Sequence, residues 1–295
     1  MVKWLSLLLS YLIMLSSESW LGLWLGLELN SLSFIPILIG LSKEVSLKYF
    51  LVQSFGSVLF LLGIFNPSFS ILSSLGLLLK TGVAPLHFWV ISVTKNMSWS
   101  LLMILLTTQK LGPLLGLAMS GFSSLMVIIL SALLGSLGGF IQSNMRLIIT
   151  FSSIAHLSWL LINLSSMPLF FTYFSVYCFI SVTLGVLFQK MKIFNISQMN
   201  FSQDLLLKTS LSLSLLSLGG LPPLLGFFIK WMTIELSLLS LLLCSVLVFS
   251  TCLSLFFYLK IVLVPQLSPF NYSIKWDNMV VWSLILNCVL PLFLL

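Results

Sequence analysis

Residues 77–89 read LLLKTGVAPLHFW, and the stretch works against itself. It begins as an apolar run suited to lipid, then places Lys80, Gly82, Pro85 and His87 close together in a chain of which only 6% is charged. Residues 217–231, SLGGLPPLLGFFIKW, repeat the combination with Gly219, Gly220, Pro222, Pro223 and Lys230. Proline removes an amide donor and clashes with the preceding turn, so both stretches predict a helix interrupted in its interior. In a membrane the freed backbone groups are tolerable only where protein or trapped water satisfies them. A hydrated pocket is therefore expected at GVAP, with Lys80 titrating beside it and Thr81 as a hydroxyl relay.

The surrounding chain requires a bilayer. Of 295 residues, 59% are apolar, and the mean hydropathy is +1.19, more than a water-soluble core can hide. Interruptions between apolar stretches are short, which leaves no room for a soluble domain and implies a single polytopic domain over 1–295. The opening MVKWLSLLLSYLIMLSSES is read as a retained first span, not a signal peptide. Cys178, Cys244, Cys252 and Cys288 lie in apolar runs without metal-ligand or disulfide spacing and are read as packing residues. The net charge of +7 comes from scattered lysines, not basic clusters interleaved with aromatics, so nucleic acid is excluded as a partner. Scarce alanine and a single arginine hint at a nucleotide-skewed, organelle-like genome.

At about 20 residues per span, the chain divides into roughly eleven helices: 2–17, 20–40, 45–65, 69–90, 97–119, 122–142, 146–164, 168–190, 205–236, 237–264 and 278–295. Connections after even-numbered helices carry charge: Lys43, Glu44 and Lys48; Lys95; Arg146; Lys190, Lys192, Asp204 and Lys208; Lys275 and Asp277. Those after odd-numbered helices are nearly charge-free. This alternation puts the N-terminus on the positive-inside face and the C-terminus opposite. The two interrupted helices are the fourth of each five-helix half if the halves are residues 1–119 and 120–264, with a C-terminal helix in 265–295. An odd repeat length inverts the second half, and matching broken helices in inverted repeats point to a transport site. The fold expected is therefore all-α and polytopic: two inverted five-helix repeats plus one helix.

Lys190 and Lys260 sit near helix ends, where the stem can snorkel to the interface. Glu28, Lys80, Lys110 and Lys230 lie mid-span or beside a break. An ionised group at a helix centre costs about 2.5–3.5 kcal/mol on insertion scales, and such groups usually face a bundle interior, pair, and mark ion or proton paths. One alternative is a Glu28–lysine pair that merely fixes packing. Three lysines against one glutamate favour a proton relay, because burial without a counter-charge disfavours an ammonium and lets an amine load and release a proton. His87 is either a relay partner of Lys80 or an interfacial histidine beside Trp89. His156, in SSIAHLSW, fits a hydroxyl and water chain, or a histidine bonded within the bundle. If protons pass laterally, Lys80, Lys110, His156 and Lys230 are expected at similar depth.

Taken in order, WLGLELNSLSFIPIL, KYFLVQS, LLKTGVAPLHFW, TTQKLGP, SSIAHLSW and SLGGLPPLLGFFIKW resemble the mitochondrial NADH dehydrogenase subunit 2 family, antiporter-like membrane subunits of respiratory complex I. The resemblance covers about residues 20–235. It implies a proton-translocating subunit in which Glu28 pairs with Lys80, Lys110 connects, and Lys230 exchanges protons with the far side. It also implies a multi-pass protein of the mitochondrial inner membrane, with the N-terminus on the matrix side and the C-terminus on the intermembrane-space side. Partners would be other complex I membrane-arm subunits and the lipid bilayer. NADH oxidation by ubiquinone would occur elsewhere, with flavin, iron-sulfur clusters and ubiquinone in partner subunits. No cysteine cluster, phosphate-binding glycine loop or haem-ligand pattern occurs, so no redox cofactor is expected in this chain. The alternatives are an autonomous cation/proton antiporter and a non-conducting membrane scaffold.

Overall fold

The computed structural model describes residues 2–122, 124–201, 205–236, 241–266 and 287. Apart from Asn287, the expected C-terminal helix at 278–295 lies outside the described residues, as do Asp204, Lys275, Asp277 and Cys288. The chain forms two compact units, Met1–Ser124 and Leu125–Leu295, and the described secondary structure is helical.

The first unit holds α1 (Val2–Ser16), α2 (Trp20–Ile39), α3 (Lys43–Phe65), α4 (Ser70–Thr81), α5 (Phe88–Thr94), α6 (Trp99–Leu106) and α7 (Thr108–Met119). Ser19 caps α2 by accepting from the Gly22 amide at 3.2 Å. Two helix pairs, α1 with α2 and α3 with α4, pack along their lengths. The second pair touches backbone to backbone: a Cβ added at Gly76 would stand 2.6 Å from the Gly56 carbonyl oxygen. Small residues at such contacts are how membrane helices approach closely.

The second unit holds α8 (Leu125–Ile141), α9 (Met145–Asn163), α10 (Met167–Met191), α11 (Leu205–Gly219), α12 (Leu225–Leu236) and α13 (Leu241–Gln266). Asn144 caps α9 through the Arg146 amide at 3.0 Å. The α9 span is 94% buried, which makes it the unit's central element, and α8 packs against both α9 and α13. The polar residues of α9, Thr150, Ser152, Ser153, His156 and Ser158 among them, are buried along with its apolar ones.

Other helices bury one side and turn a row of apolar side chains outward. Leu5, Leu8, Leu12 and Leu15 form an exposed stripe on α1, and Phe249, Phe256 and Leu263 are exposed on α13. Among the described residues, six helical stretches are long and apolar enough to cross a membrane, α6 and α7 counted together as one, with shorter apolar helices such as Ser70–Thr81 beside them. Serines complete the interior by satisfying themselves. Ser10, Ser131, Ser136, Ser158, Ser214 and Ser217 are fully buried, and each donates to a carbonyl three or four residues earlier in its own helix.

Three expected spans are not single helices. The fourth divides into α4 and α5 around 82–87, and the ninth into α11 and α12 around 220–224, as the glycines and prolines predict. The fifth, expected to be continuous over 97–119, also divides, because Thr107 adopts φ −109°, ψ −84° between α6 and α7. Its hydroxyl and that of Thr108 bond back to the Met103 and Ile104 carbonyls at 2.6 and 3.1 Å. Such back-bonding bends helices, and Pro113 has no amide to give the Gln109 carbonyl.

Candidate functional site

In the first unit the site is built where α4 stops. Gly82 takes the left-handed conformation at φ +71° and its amide closes on the Leu78 carbonyl at 3.1 Å. Lys80 therefore sits in the last turn, where a cation is favoured by the carbonyl end of the helix. Its Nζ lies 3.1 Å from Glu28 Oε1 of α2, with side-chain exposures of 1% for Lys80 and 22% for Glu28. The expected approach of these two residues is thus a direct ion pair. At the break two carbonyls are capped by side chains: Gln53 donates to that of Lys80 at 3.4 Å and the Trp89 indole to that of Leu79 at 3.0 Å. Thr81 spends its hydroxyl proton on the Leu78 carbonyl at 2.9 Å. His87 lies beyond the interruption at the start of α5, with its ring stacked on Phe88, centroids 4.5 Å apart.

Lys110 is buried in the first turn of α7, just past the Thr107 break. Its neighbour Gln109 ties four helices together. It donates to Asn30 Oδ1 of α2 at 3.0 Å and to the Tyr11 hydroxyl of α1 at 3.4 Å, and accepts from the Tyr49 hydroxyl of α3 at 3.1 Å. This cluster was not anticipated. Its sequence signal is faint: amides and tyrosines that must find partners once inside apolar spans.

In the second unit Gly220, at φ +88°, turns the chain after α11. Lys230, buried on α12, reaches back across the break and donates to the Leu218 and Gly219 carbonyls at 3.0 and 2.8 Å. These carbonyls have no next turn to accept from, so the ammonium takes the place of the missing amides. Its surroundings form a pocket of about 470 Å³, mainly apolar and lined by Trp159, Trp231 and Leu255 among others. Glu235, which sequence reasoning passed over, lines the same pocket and accepts from the Trp231 indole at 3.1 Å. Cys252 is exposed on that wall, so the reading of it as a packing residue is corrected. His156 projects from the enclosed α9, its Nδ1 2.8 Å from the Tyr173 hydroxyl and its ring 5.2 Å from that of Tyr177. Among the described residues no group of three or more His, Cys, Asp or Glu side chains is placed to hold a metal ion. Amines, an imidazole, a carboxylate and phenols are groups whose chemistry allows them to take up and release protons.

A family model described as NADH:quinone oxidoreductase/Mrp antiporter, transmembrane, matches residues 66–256. The chain belongs to this family. The NADH:quinone oxidoreductase/Mrp antiporter match includes Lys80, Lys110, His156 and Lys230 and leaves Glu28 outside. Over its full length the chain is 51% identical to NADH-ubiquinone oxidoreductase chain 2 of Artemia franciscana, covering 100% of both proteins. It is 39% identical to the protein of the same name from Anopheles gambiae, over 86% of this chain and 82% of that one. A chain in the structure of respiratory complex I from Thermus thermophilus with bound aureothin shares the family fold. That match has a TM-score of 0.88 at 21% identity and covers 98% of this chain and 77% of that one.

Proposed function

We propose that the chain is a membrane-arm subunit of respiratory complex I, the proton-translocating NADH:ubiquinone oxidoreductase, and carries protons through Glu28, Lys80, Lys110, His156 and Lys230. The full-length identity to NADH-ubiquinone oxidoreductase chain 2 supports the assembly. The relay is supported chiefly by one observation: lysines stand at the interruptions of both broken helices, one paired with a carboxylate and the other with backbone carbonyls. Redox chemistry belongs to partner subunits holding flavin, iron-sulfur clusters and ubiquinone. The chain sits in the mitochondrial inner membrane, its N-terminus towards the matrix and its C-terminus towards the intermembrane space, with its halves as inverted five-helix repeats.

In this reading Glu28 is the input. Its carboxylate and the Lys80 ammonium neutralise each other, so a change of charge or position at Glu28 changes the cost of keeping Lys80 protonated. Each onward step needs hydrogen-bond reach or one bridging water. Lys110, at the start of α7, takes the proton onward, and Lys230 hands it to the far side through its pocket. The test is Lys110→Met, which keeps an unbranched stem and removes the titrating group. Normal assembly on a native gel with impaired proton pumping in reconstituted vesicles is expected; an assembled variant that pumps normally sinks the relay.

A further inference from the structure

The interruption at Thr107 means that the first turn of α7 does not inherit its setting from α6, so its own packing and hydrogen bonds must fix it. Rotation of that turn decides where Lys110 points, because neighbouring residues on a helix diverge by about 100°. Close packing fixes the distance. The Met14 side chain of α1 fills a slot between Gly26 of α2 and Gly112 of α7, and a Cβ at either glycine would collide with it. Directional bonds fix the rotation. Gln109 spends both Nε2 protons, on Asn30 and Tyr11, and its Oε1 accepts from Tyr49, so three other helices hold one amide. The same partners reach the Lys80 break. Tyr49 is buried, its ring edge-on to Trp89 with centroids 6.1 Å apart, and the Trp89 indole is the group that caps the Leu79 carbonyl. One turn along α3, Gln53 caps the Lys80 carbonyl, and Asn30 stands two residues from Glu28 on α2. One face of α3 thus holds the end of α4 and the start of α7 together.

We propose that Gln109 is a positioning residue for Lys110: it locks the rotation of the first turn of α7 against the Glu28–Lys80 pair, and Tyr49 is the link between the two helix breaks. The inference rests on the relay reading above. Gln109 takes up no proton itself, and its part is directional. Reversing the amide would set its oxygen against Asn30 Oδ1, so the observed orientation is the bonded one. A methionine in its place would fill the same length and leave the Tyr49 hydroxyl and the Asn30 carbonyl without this partner, inside the bundle. The turn would then be free to rotate about its contact with Met14. Because each proton step needs hydrogen-bond reach or one bridging water, a small rotation that swings Lys110 aside interrupts transfer.

The experiment compares Gln109→Met, Tyr49→Phe and Lys110→Met in the intact complex, with native gels for assembly and vesicle assays of proton pumping per assembled complex. Gln109→Met should pump roughly tenfold less, within the range that a misplacement of about 1 Å produces. Tyr49→Phe keeps the ring against Trp89 and removes one donor, so a loss of about fivefold is expected, the worth of one hydrogen bond. A residue that only stabilises the bundle lowers the amount of complex and leaves pumping per complex unchanged; that result overturns the proposal. Cryo-electron microscopy maps of the assembled variants should show the Lys110 side chain displaced from its place in the unmodified complex, and an unmoved Lys110 overturns the proposal as well. If Lys110→Met is impaired while Gln109→Met pumps normally, the relay stands and the role given to Gln109 falls. If Lys110→Met pumps normally, the relay itself fails and this inference with it. Should Gln109→Met not assemble, Tyr49→Phe decides, normal pumping in that variant being the overturning result.

Discussion

A lysine held inside a membrane bundle needs something to stand in for water, and Lys80 and Lys230 find it in different groups. Lys80 has a carboxylate at 3.1 Å; Lys230 has two carbonyls left over by a broken helix. Replacing Glu28 by Gln keeps the shape and leaves Lys80 facing a neutral amide. Breaking a buried pair costs about 3–5 kcal/mol, here towards the lower end because the Glu28 side chain is 22% exposed. The yield of assembled complex should fall, and a Glu28→Gln/Lys80→Met double variant should recover assembly but not pumping. Recovery of both on native gels and in vesicles would show the pair to be purely structural. The residues of this pair were legible because an ionised side chain within an apolar span has few innocent explanations. Tyr173 and Gln109 were not, since their types also serve as ordinary packing or interfacial groups, and only the fold reveals that their polar tips point inward.

Among elements, the same contrast separates the three interruptions. GVAP and GGLPP announce themselves through glycine and proline, whose backbone restrictions act locally. The break between α6 and α7 rests on two threonines that back-bond to Met103 and Ile104, and threonine is common in unbroken membrane helices. A Thr107→Val/Thr108→Val variant keeps the branched shape and removes both back-bonds. Residue 107 should return to helical geometry, carrying Lys110 out of register. A misplacement of about 1 Å costs up to about a hundredfold in a positioned reaction, so pumping should drop even if straightening is partial. Persistence of the kink in a cryo-electron microscopy map would assign the break to Pro113 alone.

For the whole molecule, a relay passing through both halves in series makes a quantitative demand. If Lys80 and Lys230 belong to one path, removing either blocks it, so Lys80→Met/Lys230→Met should pump no worse than the weaker single variant. Losses that multiply would indicate two independent paths. Vesicle assays of protons moved per NADH, on all three variants, measure this directly. The polytopic character was legible from hydropathy alone, whereas the pairing of helices was not, because which faces meet depends on glycines such as Gly56 and Gly76 whose role appears only when two backbones touch. The self-bonded serines carry a consequence for how such a chain is weighed. Each buried hydroxyl that donates within its own helix behaves towards lipid as a small, nearly apolar group, filling the place alanine takes in other proteins. A hydropathy scale nonetheless counts it as polar. The mean value of +1.19 therefore understates the affinity of the folded helices for the bilayer, and an alanine-poor chain can still build close-packed membrane helices by using serine as its small residue.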